Sequence, residues 1–134
     1  MGAWGHRNVE NDDAMDFVAE FKEMPSENFL VESLGLIVEA GDGEEYIEAP
    51  EASAALAAAE LVAAAVGNPA PDFPAELHES LTKMGISETF DVRKLARKAV
   101  KYLLKESELQ ELWAEGGEPN EWQAVQRDLL VRLK

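Results

Sequence analysis

From Ser53 to Val66 the chain reads Ser-Ala-Ala-Leu-Ala-Ala-Ala-Glu-Leu-Val-Ala-Ala-Ala-Val, with Glu60 as the one charged residue. Alanine is the strongest helix former. Pro50 suits the first helical turn, and Gly67-Asn68-Pro69 supplies the stop. The predicted helix, Pro50 to Val66, is apolar on every side, and such a helix is stable only when buried. It is shorter than the roughly 20 apolar residues that cross a bilayer, so the rest of the chain has to wrap it. Alanines on all faces let several neighbours approach closely. The same small-residue pattern would also serve as a seam between two copies of the chain.

The remaining segments supply the wrapping. Apolar residues at helical spacing predict a first helix from Asp12 to about Glu23, with Met15, Phe17, Val18 and Phe21 as its apolar residues. Met24-Pro25 ends it. Ser26 is placed to cap a second helix to about Ala40, carrying Phe29, Leu30, Leu34, Ile37 and Val38, and Gly41-Asp42-Gly43 reads as a turn. After the central helix, a short one is expected from Pro74 to Met84. Another, capped by Asp91, turns Val92, Leu95, Ala96, Ala99 and Leu103 inward. A further turn begins at Ser107, and Pro119 opens a last helix with Trp122, Val125, Leu129 and Leu133 inward. No alternating β-branched run suggests a strand. The expected fold is all-α: residues 1–134 form a single helical domain, a compact bundle of five to seven helices around a buried Ala-rich central helix.

The opening Met1-Gly-Ala-Trp-Gly-His-Arg-Asn-Val-Glu-Asn-Asp-Asp-Ala-Met-Asp-Phe17 is the densest candidate site. Gly2 and Gly5 flank Trp4 in a non-helical entry that would lay the indole on the core. Asn11 stands at a helix cap, and Asp12 and Asp13 meet the positive end of the helix dipole. Val9 and Met15 are spaced as a hydrophobic staple. Asp12-Asp13-Ala14-Met15-Asp16 also spells DDxxD, a magnesium–diphosphate pattern. Asp12 and Asp16 share a helix face, but no His, Asn or further Asp completes an octahedral set. Capping therefore accounts for these acids, and no metal or other cofactor is expected.

The same opening, MGAWG followed by NDDAMDF, resembles the bacterial family known as domain of unknown function 4259, whose members begin MGxWG and continue to ND-x-A-x-D with Trp or Phe. Tyr46-Ile-Glu-Ala-Pro50, Asn68-Pro-Ala-Pro71 and Ser107-Glu-Leu-Gln-Glu-Leu-Trp113 are similar as well, so the likeness runs over nearly the whole chain. His6 and Arg7 stand where relatives have a small residue and glycine. The resemblance implies no particular activity.

Charge narrows the function. The net charge is −15, and residues 1–82 hold 18 of the 27 acidic but 2 of the 12 basic residues. Such a field repels nucleic acid and anionic membranes and attracts basic proteins. Half of the basic residues, Arg93, Lys94, Arg97, Lys98, Lys101 and Lys105, line one face of the Asp91 helix, a surface suited to the acidic half of the chain or to self-association. With no cysteine and two isolated histidines, His6 and His78, no thiol or His-based catalytic set is present. No secretory pattern opens the chain, so a reducing cytoplasm is expected. The reading is a small acidic protein-binding module, non-catalytic, of the kind that bacterial immunity proteins exemplify. Its alternatives are a metal-dependent enzyme using Asp12, Asp13 and Asp16, and a structural homo-oligomer.

Overall fold

A computed structural model describes residues 12–24, 26–68, 77, 79, 91–105 and 119–133. Five helices are described: α1 (Asp12–Glu23), α2 (Glu27–Asp42), α3 (Ala49–Ala65), α4 (Asp91–Lys105) and α5 (Pro119–Arg132). There is no strand among the described residues, and the fold is an all-α bundle. The expected helix from Pro74 to Met84 lies outside them except at Leu77 and Glu79, both helical, with Leu77 fully buried. The turn expected at Ser107 lies outside them altogether.

The alanine run decides the architecture. α3 packs against all four other helices, and α2 and α4 also pack on each other. Every residue from Ala52 to Ala64 except the partly buried Ala54 is buried. The faces offered for a seam between copies are thus taken up inside the chain. Buried apolar residues of all five helices form one cluster. α3 ends in a paired reversal: Gly67, at φ 97°, lets its own N–H reach Ala64 O at 3.0 Å while Asn68 N–H reaches Ala63 O at 2.8 Å. A left-handed residue is needed there, and glycine takes it at no steric cost.

α2 closes the same way, but one residue beyond where the glycines suggest. The helix runs on through Gly41 and Asp42, and the left-handed residue is Glu44 at φ 57°. Glu44 N–H bonds Gly41 O at 3.2 Å and Glu45 N–H bonds Ala40 O at 2.8 Å. Gly41 serves a different purpose: a Cβ there would lie 2.4–2.5 Å from the ring carbons of Tyr102 from α4, too close for any side chain. It is the close approach between α2 and α4, not a turn, that requires glycine. Gly41→Ala should therefore lower stability by about 1–3 kcal/mol, the cost of overpacking a fitted contact. Urea denaturation checks this, and an unchanged midpoint would mean that the ring moves aside freely.

Two local expectations change. Ser26 does occupy the N-cap of α2, with extended φ −151° and ψ 134°, but its hydroxyl makes no capping bond. On α1 the inward stripe is Ala14, Phe17 and Phe21, whereas Met15 is 51% exposed. Residues 14, 17 and 21 follow the three-and-four spacing of one helix face, and Met15 sits about 100° off it.

Candidate functional site

Of the opening motif, Gly2, Trp4, Gly5 and Asn11 lie outside the described residues, as do His6 and Val9. Asp12 begins α1, and Asp13 and Asp16 point from it to solvent. Among the described residues no group of three or more His, Cys, Asp or Glu side chains is placed to hold a metal ion; the Asp12 side chain is not among those described.

The basic face of α4 is partly spent on the fold. Arg93 donates from Nε to the Leu133 carbonyl at 3.3 Å, which ties α4 to the end of α5. Lys98 lies 3.5 Å from the Asp42 carboxylate, so part of the expected pairing with the acidic half is made inside the chain. Arg97 is half-buried, while Lys94, Lys101 and Lys105 are exposed.

Asp42 also accepts a hydrogen bond from the Tyr102 hydroxyl. That bond, helped by the nearby Lys98 charge and opposed by some desolvation, holds the Asp42 carboxyl below its ordinary 3.8. The same bond holds the Tyr102 phenol above its ordinary 10.0. The signs bracket a window. The carboxylate's contribution is present above its ordinary range and lost as pH falls through the lowered value. The phenol's is present below its ordinary range and lost as pH rises through the raised one. In an ultraviolet titration of a Tyr46→Phe background, Tyr102 should ionise above pH 10.0, and Asp42→Asn should bring it back down. A Tyr102 that titrates alike with and without Asp42 would contradict this.

A buried ion pair was not legible from the sequence. Glu60 of α3 and Arg132 of α5 meet in a fork, Nη1 to Oε1 at 2.8 Å and Nη2 to Oε2 at 3.1 Å. Their side chains are 5% and 13% exposed. Arg132 Nε also reaches Asp128 Oδ2 at 2.8 Å. The Asn68 side-chain amide donates to Arg132 O at 3.0 Å, and Arg132 Nη1 returns a longer bond to Asn68 O at 3.4 Å. Burial pulls the guanidinium's pKa down, but the Glu60 and Asp128 carboxylates outweigh it and hold it above its ordinary value. No buried side-chain polar atom among the described residues lacks a partner. The network clamps the end of α5 onto α3 and offers no reactive group.

Among the described residues, one feature open to a ligand is a cleft of about 220 Å³ where α1, α2 and α3 meet. Phe17, Phe29, Leu36 and Ala54 give it an apolar lining, with Ser33 beside them and Glu20, Glu32 and Glu51 at its edge. Phe17 and Phe29 stack with centroids 4.6 Å apart and planes 22° apart. Phe21 supports Phe29 from within, at 6.5 Å. Leu36 is 59% exposed. The three glutamates are exposed, and no described cation pairs with them. In the sequence the cleft leaves one signal, Leu36, an aliphatic residue between Leu34 and Ile37 that falls off the inward stripe of α2.

No helix among the described residues is long and apolar enough to cross a membrane. No curated protein and no solved structure matches the chain. A family model does match, over residues 2–125, a span that takes in the cleft and Glu60 and stops short of Arg132. That family is described as Domain of unknown function (DUF4259), and the chain belongs to it.

Proposed function

We propose that this protein is a non-catalytic binding module, cytoplasmic, whose partner is a basic protein. The observation that carries the reading is the cleft: an apolar floor edged by carboxylates from three different helices, with which no described cation pairs. On a chain of net charge −15, such a site draws in a cationic surface and disfavours nucleic acid and anionic membranes. At about 220 Å³ the cleft is smaller than the roughly 300–1,000 Å³ of small-molecule sites. Bacterial immunity proteins, which neutralise basic nucleases through acidic faces, are the nearest functional analogy.

Affinity capture from the native cell, with mass spectrometry, tests the reading. One basic protein should be retained in equal amount and released as salt is raised. Recovery of no basic protein across repeated captures at low salt would contradict it.

A further inference from the structure

The geometry points to a specific occupant of the cleft: a cationic amphipathic helix of the partner, seated by one or two aliphatic side chains on the Phe17–Phe29 stack. This rests on the binding-module reading and adds where and how the partner is held. The floor sets the apolar requirement. Phe17, Phe29 and Ala54 line it and Leu36 stands exposed at its side, so an aliphatic anchor removes apolar surface of both partners from water. A volume of about 220 Å³ suits a side chain or two, not a ligand of cofactor size.

The edge sets the charge and the conformation. Glu20, Glu32 and Glu51 line the cleft from α1, α2 and α3 respectively, so negative charge reaches it from three separate helices. Cations are therefore wanted on more than one side of the anchor. A helix places residues three and four positions before and after an anchor around it on one face. An extended strand sends its nearest neighbours to the opposite side. Laying an amphipathic helix into an apolar groove is an established mode of peptide recognition.

A second copy of this chain is the competing occupant, and α4 would be its basic element. But α4 buries Val92, Ala96, Ala99, Val100 and Leu103 in its own core. Its exposed face carries Lys94, Lys98, Lys101 and Lys105, which offer charge and no aliphatic anchor.

The test uses the full chain and an end-labelled synthetic helix of about four turns, with two Leu one turn apart and Lys around them. Two control peptides replace the Leu by Ser or the Lys by Glu. Fluorescence anisotropy should show binding of the Leu/Lys peptide and at least about tenfold weaker binding of either control, the loss of an anchor contact. Leu36→Ser should weaken the Leu/Lys peptide by a similar factor. The triple variant Glu20→Gln, Glu32→Gln, Glu51→Gln should flatten the salt dependence. All four positions are solvent-exposed, and circular dichroism verifies that the variants stay folded. Equal binding of the Ser and Leu peptides, or no effect of the folded variants, overturns the inference. So does a dimer, seen by sedimentation, that the triple variant dissolves, because the occupant is then a second copy. A captured basic protein whose affinity is untouched by Leu36→Ser also overturns it, while leaving the binding-module reading intact; failure to capture any basic protein counts against that reading instead.

Discussion

Arg132→Met should destabilise the protein by about 3–5 kcal/mol, although the substitution removes one side chain near the end of the chain. The cost comes from the partner left behind. Glu60, 4% exposed, would lose its guanidinium in a site that water barely reaches, and a buried carboxylate stripped of its cation is expensive. The guanidinium satisfies both Glu60 oxygens at once, a geometry that a point charge does not reproduce. Removing both members should behave differently. Glu60→Leu with Arg132→Met replaces a desolvated pair by apolar volume and should recover to within about 1–2 kcal/mol of the natural protein, because desolvation offsets most of a buried pair's attraction. A double-mutant cycle from urea denaturation reads the difference directly. If Arg132→Met alone costs less than about 1 kcal/mol, the Glu60–Arg132 fork does not clamp α5 to α3 as described.

The second large effect is expected at Phe21. Its side chain is fully buried, and Phe→Ala at such a site typically costs about 3–5 kcal/mol through lost transfer energy and the cavity left behind. Phe21 also lies 6.5 Å from Phe29, which in turn stacks on Phe17. Phe21→Ala should thus loosen the cleft floor as well, weakening partner binding more than the similarly placed Leu103→Ala on α4, another fully buried site. Thermal denaturation and the peptide titration on both variants check this. Equal loss of binding in the two would mean that only global stability is being read.

What the sequence made legible follows from periodicity. α1 runs from Asp12 to Glu23 as its pattern predicts, and the alanine run is buried because nothing on its faces suits water. α4 spans Asp91–Lys105 with Val92, Ala96, Ala99 and Leu103 inward, though Leu95 is partly buried and Val100 joins the core in addition. Leu129 on α5 and Leu133 just past its end are buried as expected, but Val125 is half-buried and Gln126 is fully buried. A polar residue on an inward stripe cannot be distinguished from a surface one without its partner. The same limit hid the Glu60–Arg132 fork, whose members are 72 residues apart. Gly41 read as a turn because glycine's usual role is local, whereas here its reason is a ring from α4. The cleft escaped for a related cause: its carboxylates look like ordinary solvated charges until three helices bring them around two phenylalanines.

The most direct test of the central claim, that the cleft is the working surface, is hydroxyl-radical footprinting of the protein with and without its captured basic partner. Leu36, 59% exposed, and the half-buried Phe29 should be protected in the complex. Tyr46, Met24 and Val131, exposed elsewhere on the described surface, should react as in the free protein. Protection centred on Tyr46 or Val131, with Leu36 and Phe29 unchanged, would place the interface elsewhere and contradict the claim.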